Sequence, residues 1–250
     1  MSQEEAIKES LEYYGFKVEK IPERPDIKTP DFHTTKDGDE YTIELKTKYM
    51  NEELISNMDQ AFKQGEMYTD IVPMNFTNRQ KKVIHGAKKQ LAAEPLYPES
   101  LNIAWFHCEG HDASTTMDLF ENALYGKECL VDWQDETDKA YKCYYFYKNA
   151  MFSQYKDILD GAVISMDGSL KVLLNVYSSK YEELKSSSLC STFKEGVQDP
   201  IKREEKGDAI FVDDGMCREN IYERLQEKYD MKALKAIPMK SFTITSLIPK

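Results

Sequence analysis

The stretch from Thr29 to Lys48, TPDFHTTKDGDEYTIELKTK, decides the fold of the N-terminal half of the chain. Its alternation of apolar and polar residues predicts a short strand at 31–34 and a second strand at 40–47. Between them, the turn-forming residues 36–39 include an Asp-Gly pair. Two strands joined by such a turn form a β-hairpin.

The second strand of this hairpin carries its charges on one face. Glu44 and Lys46 are two residues apart and therefore point to the same face, whereas Ile43 and Leu45 point to the other. If Asp31 lies on the neighbouring strand, its carboxylate and that of Glu44 converge beside an ammonium group. Converging carboxylates repel each other unless a cation lies between them. Mg2+ typically binds one or two carboxylates with water and phosphate, so these residues predict a divalent metal site.

The rest of the chain predicts a mixture of helices and strands. Helices are expected at 3–14, 51–66, 78–92, 114–124 and 219–229, and strands at 16–21, 101–108, 141–147, 162–166, 170–177 and 209–212. The segments 67–77 and 194–206 are expected to be a connection and a surface loop. This order indicates an α/β or α+β fold with a central mixed sheet.

The composition excludes several classes of protein. The 250 residues carry a net charge of −11, which argues against a protein that coats nucleic acid non-specifically. No apolar run approaches the roughly 18 residues that cross a membrane, and the acidic N-terminus is not a signal peptide, so we expect no membrane association. The 5 scattered cysteines contain no CxxC pair and favour a reducing cytoplasm.

One segment reverses the acidic character of the chain. Residues 71–93 contain no acidic side chain, and their basic residues are Arg79, Lys81, Lys82, Lys88 and Lys89. Beside a metal site these side chains would bind phosphates, and they would equally suit the solvated face of a helix. Lys48, at the end of the second hairpin strand, is either another phosphate contact or an exposed strand end.

The motif residues resemble those of the PD-(D/E)xK nuclease superfamily, which has a restriction-endonuclease-like fold. Pro30-Asp31 matches the PD and Glu44-Leu45-Lys46 matches the (D/E)xK, and the order of elements is similar over roughly residues 1–108. The resemblance implies a nuclease-like core at 1–112, with a central mixed sheet flanked by helices. Residues 113–250 would then be a C-terminal α+β extension or a further part of the same domain.

The resemblance also implies an activity, the metal-dependent hydrolysis of phosphodiester bonds. Asp31, Glu44 and the backbone carbonyl of Leu45 would bind Mg2+ or Mn2+, and Lys46 would orient and activate the attacking water. DNA is the default substrate of this superfamily and RNA is the alternative. Many enzymes with this fold form dimers, so a homodimer is also expected.

Two further residues receive supporting roles from the resemblance. Glu4, on the first helix, would hold the outer water molecules of the metal. Gln90, on the basic helix, would support the site, with Gln60 as a second candidate.

Less specific readings of the same residues stay open. Asp31 after Pro30 suits an ordinary turn, Glu44 and Lys46 suit a cross-strand pair on a solvated face, and Glu4 suits the start of any helix. The alternative function is a nuclease-like fold without turnover that binds nucleic acid or a protein as a regulatory module. In an unrelated α+β protein the two motif carboxylates would lie more than about 8 Å apart, too far to share one ion.

Overall fold

The computed structural model describes residues 2–26, 28–48, 52–73, 77–93, 97–110, 112–136, 139–144, 150–212, 221–237 and 241–246.

The helices and strands alternate along the chain. The helices are α1 (Gln3–Tyr13), α2 (Glu52–Lys63), α3 (Thr77–Leu91), α4 (Ala113–Tyr125), α5 (Met151–Gln154), α6 (Tyr181–Ser186), α7 (Ser188–Thr192), α8 (Pro200–Glu205) and α9 (Ile221–Tyr229). The strands are β1 (Lys17–Lys20), β2 (Phe32–Lys36), β3 (Asp39–Lys48), β4 (Tyr68–Pro73), β5 (Leu101–Cys108), β6 (Glu128–Asp132), β7 (Ala140–Tyr144), β8 (Gly161–Met166), β9 (Ser169–Leu174), β10 (Val197–Gln198), β11 (Ala209–Phe211), β12 (Leu234–Ala236) and β13 (Ser241–Ser246).

The main sheet has seven strands in the order β1-β2-β3-β5-β8-β9-β10. The first three strands are antiparallel neighbours, whereas β3, β5 and β8 run parallel to one another. Parallel neighbours need a crossover connection, and α3 and α4 lie in the two connections between these strands. The predicted α/β class with a central mixed sheet flanked by helices is confirmed.

The predicted hairpin is confirmed, with both strands slightly longer than expected. β2 pairs with β3 from Phe32–Ile43 to Lys36–Asp39, around a two-residue turn. Asp37 and Gly38 in this turn have φ angles of 52° and 92°. Such left-handed residues match the twist of the two strands, and Asp-Gly is a preferred pair for them.

Both faces of the main sheet are covered. On one face, Ile43 and Leu45 of β3 pack in a buried cluster that includes Ile7 and Leu11 of α1. On the other face, the buried side of α3, including Ile84, lies in a cluster with strand residues of β5 and β8. The charged face of β3 therefore lies under a helix and not in solvent.

Two segments that were expected to be irregular are ordered elements. Residues 68–73, within the expected connection 67–77, form β4, which pairs antiparallel with β13 from the far end of the chain. The expected surface loop 194–206 contains a short 3-10 helix, β10 and α8. The carboxylate of Asp199 caps α8 by accepting from the N–H groups of Ile201 and Lys202. Both predictions were wrong because the strand partners lie far away in sequence.

The C-terminal part contributes strands to all three described sheets, including β13 of the β13-β4 pair. Its strands β8, β9 and β10 extend the main sheet, so a boundary at residue 112 passes through one sheet. A second sheet, in the order β11-β7-β6-β12, has its own buried cluster against α9. None of the described helices has the length and apolar character needed to cross a membrane.

Candidate active site

Asp31 is fixed between β1 and β3, directly before β2. Its N–H donates to the carbonyl of Ile43 over 3.1 Å, and its carbonyl accepts from the N–H of Ile21 over 2.9 Å. One carboxylate oxygen, Oδ2, accepts a hydrogen bond of 2.7 Å from the N–H of Leu45. These contacts hold the carboxyl group against the second half of β3.

Glu44 is a fully buried carboxyl group with few polar partners to balance a negative charge. Its side chain is 0% exposed and forms an ion pair with the ammonium of Lys46. Within the described part of the chain, neither of its carboxylate oxygens has a well-oriented hydrogen-bond donor. Its carboxyl group also lies within hydrogen-bond reach of that of Asp31. The two motif carboxyl groups therefore converge, as the hairpin predicted.

The negative charge of Asp31 disfavours a negative charge on Glu44. Burial raises the pKa of Glu44 to about 8, and the negative charge of Asp31 adds to the increase while Lys46 opposes it. Burial also raises the pKa of Asp31, against the hydrogen bond from Leu45 and the charge of Lys46. Ionising both carboxyl groups at once is therefore costly, and a bound cation would relieve this cost.

Lys46 is held by a chain of polar contacts. Its ammonium donates to Oε1 of Gln90 on α3 over 2.9 Å. The amide nitrogen of Gln90 donates in turn to the backbone carbonyl of Thr29 over 3.1 Å. Gln90, which was predicted to support the site, therefore links the catalytic-lysine candidate to the loop that carries Asp31. Gln60 is exposed on α2 and lines a separate surface groove.

Glu4 reaches the site through a partner that the sequence did not indicate. Its carboxylate contacts the ammonium of Lys20, at the end of β1, over 2.6 Å. The hydrogen bond and charge of Glu4 raise the pKa of Lys20, with a smaller contribution from Asp31. The charge of Glu4 also adds slightly to the pKa of Asp31, which is raised mainly by burial. No motif marks Lys20, because its role depends on the packing of α1 beside β1.

A cleft of about 490 Å³ opens onto Asp31 and Gln90. It lies along the proline-bearing loop that connects β1 to β2. The charged residues that line it are Lys20, Glu23, Arg24, Asp26, Lys28 and Asp31. The sequence of this loop gives no sign of a cleft, because alternating charges in a proline-rich segment are also typical of an ordinary surface loop.

The basic residues of α3 divide between its two sides. Arg79 and Gln90 are about three turns apart and lie on one side of the helix, the side of the candidate site. Lys81 is two residues after Arg79, and Lys88 is two residues before Gln90. Two residues correspond to a rotation of about 200° around the helix axis, so both lysines lie on the opposite side. The ammonium of Lys88 accordingly lies over the ring of Tyr155, 5.6 Å from its centroid.

The remaining basic residues have different surroundings. Lys48, at the end of β3, is half-buried, and its pKa is lowered by burial and by the charges of Arg79 and Lys46. Lys82 and Lys89 are exposed. Of the predicted phosphate contacts, Lys48 therefore lies close to Lys46, and Arg79 lies close to Lys48.

The residues present fit a hard divalent cation. In a strand, the N–H and C=O of one residue point to the same side, so the carbonyl of Leu45 lies on the side of Asp31, to which its N–H donates. Across the described residues, no set of three or more His, Cys, Asp and Glu side chains is placed to hold a metal ion. Mg2+ needs only one or two carboxylates when water and phosphate complete its shell. Asp31, Glu44 and this carbonyl are the groups that could provide such a site.

Comparison of the chain with models of known protein families, with characterised proteins and with solved structures finds no match. The candidate site therefore stands on its own geometry.

Proposed function

We propose that this protein is a metal-dependent nuclease that hydrolyses phosphodiester bonds, with DNA as its first expected substrate and RNA as the second. The observation that carries the proposal is the pair formed by half-buried Asp31 and fully buried Glu44 beside Lys46. The pKa values of both carboxyl groups are raised, so a bound cation would stabilise their charged forms. Lys46 contacts Glu44 at the same place. Perturbed carboxyl groups in a cleft are typical of functional sites.

Each residue would have a distinct task. Asp31, Glu44 and the carbonyl of Leu45 would hold Mg2+ or Mn2+. Such an ion, when bound, supplies charge neutralisation and polarises a phosphoryl oxygen. Lys46 would hold the attacking water by hydrogen bonding and balance the negative charge that develops on the phosphate. Gln90 would keep the Lys46 ammonium in place, since its amide oxygen already accepts from it.

Substrate binding would use the groups around this centre. Lys48 lies beside Lys46, and Arg79 lies beside Lys48, so these two side chains would bind phosphates next to the scissile bond. Glu4, paired with Lys20, would hold outer waters of the metal. We also propose a reducing cytoplasmic location, which suits the free cysteines at 108, 129, 143 and 190. A homodimer stays a prediction.

A second candidate function is a binding module without turnover. The observation that favours it is internal charge pairing, because Lys46 contacts Glu44 and Lys20 contacts Glu4. A site neutralised by its own lysines could bind nucleic acid or an acidic protein partner without a metal. The net charge of −11 suits a protein partner as well as a substrate.

A cleavage assay separates the two functions. The wild type is compared with Lys46→Ala and with Lys17→Ala, a control that removes an exposed lysine of β1. Substrates are linear and circular duplex DNA, single-stranded DNA and RNA, each with Mg2+, Mn2+ or EDTA. We expect metal-dependent cleavage by the wild type and the control, and none by Lys46→Ala.

Other outcomes decide against parts of the proposal. Binding of a substrate without cleavage by any of the proteins would favour the binding module. Equal cleavage by the wild type and Lys46→Ala would reject Lys46 as the catalytic lysine.

A further inference from the structure

The candidate active site lies below the protein surface, where α3 meets the loop between β1 and β2. Glu44 is 0% exposed, and the side chain of Lys46 is 29% exposed. The amide of Gln90 bridges the helix and the loop, because it accepts from Lys46 over 2.9 Å and donates to the carbonyl of Thr29 over 3.1 Å. A scissile phosphate therefore has to enter the molecule in order to reach the two carboxyl groups.

The cleft of about 490 Å³ that opens onto Asp31 and Gln90 provides the entrance. Its volume is in the range of clefts that enclose one small ligand, roughly 300–1,000 Å³. The crevice lined by Lys48 and Arg79 has a volume of only about 20 Å³, which is little more than the space for one water molecule. The larger cleft therefore admits the substrate, and it has room for a short stretch of one strand.

The loop that forms this cleft is held in place at several points. Its three prolines fix the backbone φ angle at their positions. At the base of the loop, the N–H of Ile21 donates to the carbonyl of Asp31 over 2.9 Å. Within the loop, the hydroxyl of Thr29 donates to the carbonyl of Pro22 over 3.4 Å. The cleft is therefore preformed, and the substrate has to adapt to its width.

The charges that line the cleft cancel one another. Three basic and three acidic side chains line it, namely Lys20, Arg24, Lys28, Glu23, Asp26 and Asp31. A protein that binds along the backbone of a duplex makes about 6–10 phosphate contacts. This cleft offers fewer cations than that, and a divalent ion at Asp31 would add only two positive charges. The balance suits a substrate segment with few phosphates.

Lys28 is the cation of the cleft that is best placed to bind a phosphate. Its side chain is exposed, and it has no hydrogen-bond or ion-pair partner among the described residues. Lys20, in contrast, is paired with Glu4 over 2.6 Å. None of the described residues that line the cleft is aromatic. Bases would therefore not be held by stacking on aromatic rings, and recognition would depend on the backbone.

We infer that this cleft takes single-stranded nucleic acid, as a short stretch of unpaired backbone. A duplex is stiff over about 50 nm, so it cannot bend one phosphate into a cleft of this size while its strands stay paired. A single strand can enter, because its bases are unstacked and splayed out easily. Lys28 would bind a phosphate next to the one that is cleaved. For cleavage, the inference rests on the proposed nuclease function, whereas the strand preference in binding does not.

Binding in EDTA tests the strand preference without cleavage. A labelled single-stranded DNA oligonucleotide, and the blunt duplex that it forms with its complement, are titrated with the wild type, Lys28→Gln and Lys194→Gln. Fluorescence anisotropy measures binding over a series of salt concentrations. Lys194→Gln is the matched control, because it removes one positive charge from an exposed lysine elsewhere.

Two results are expected from this titration. The wild type and the control should bind the single strand with a Kd about tenfold lower than that of the duplex. In Lys28→Gln, the slope of log K against log salt should be shallower by about 0.7, the value for one phosphate contact on a single strand. An unchanged slope in this variant would reject Lys28 as a phosphate contact. Equal binding of both ligands, or saturable binding of neither, would overturn the inference.

Cleavage in Mg2+ provides a second readout. The substrate is a partial duplex with a single-stranded overhang, and we expect products from the overhang alone. Cleavage within the paired region would overturn the inference even if the nuclease is real. Absence of any cleavage, together with the expected preference in binding, would reject the nuclease and retain the cleft as a single-strand binding site.

Discussion

Two buried glutamates of this protein differ in how their charges are balanced. Glu44 in β3 and Glu121 in α4 are 0% and 2% exposed, and both contact lysine. Glu121 has two lysines, and its pKa is lowered in spite of burial. Glu44 has one lysine and a neighbouring carboxyl group, and its pKa rises to about 8. Burial alone therefore does not decide the pKa of a carboxyl group, because the charges of its neighbours can outweigh it.

The largest expected effect comes from replacing each glutamate with its neutral isostere. Glu121→Gln leaves Lys127 and Lys171 without their carboxylate and should cost about 3 kcal/mol of unfolding free energy. Glu44→Gln removes a charge that burial disfavours, so we expect a loss below about 1 kcal/mol, or a gain, at pH 8. Denaturant unfolding of both variants measures this difference. Equal losses would mean that Glu44 is as structural as Glu121.

Divalent metal should affect only one of the two sites. We expect Mg2+ or Mn2+ to stabilise the wild type by up to about 2.7 kcal/mol at a concentration one hundred times its Kd. Glu44→Gln and Asp31→Asn should lose this stabilisation. Glu9→Gln, a change of an exposed acid on α1, should keep it. Thermal melts at matched ionic strength report the shift, and an equal shift in Glu44→Gln would place the metal elsewhere.

The pH dependence of stability should follow Glu44. Its folded-state pKa of about 8 lies above the usual value of 4.5, so the folded state favours the protonated form. The stability that this provides is complete below about pH 4.5 and is lost as pH rises through about 8. Without metal, melting temperatures should therefore fall between about pH 5 and pH 8, and less steeply in Glu44→Gln. The lowered pKa of Glu121 has the opposite sign, and its contribution is lost only in acid.

The smallest expected effect concerns the positioning of Lys46. Gln90→Ala removes the hydrogen bonds of that amide to Lys46 and to the carbonyl of Thr29, which should cost about 1 kcal/mol of stability. If the proposed activity is present, cleavage should slow more than substrate binding weakens, because Lys46 loses its orientation. Gln60→Ala, at an exposed position on α2, serves as the control. A change in substrate binding alone would contradict a positioning role.

Much of the candidate site follows from local sequence pattern. The two-residue period of a strand places Glu44 and Lys46 on one face, and the Asp-Gly turn fixes the register that brings Asp31 beside Leu45. The helical period likewise places Gln90 and Arg79 on one side of α3. These features depend on neighbours within a few residues. The hairpin and the helix that carry them were therefore predictable from the sequence.

The remaining features needed the tertiary structure. The burial of Glu44 comes from the packing of α3 on the sheet, and the contact of Glu4 with Lys20 comes from α1 lying beside β1. The pairing of β4 with β13 and the charges around Glu121 join segments far apart along the chain. The sequence by itself determined which side chains share a face. Which faces are buried, and which charges stay uncompensated there, was decided only by folding, because burial and charge balance depend on every segment that packs against a residue.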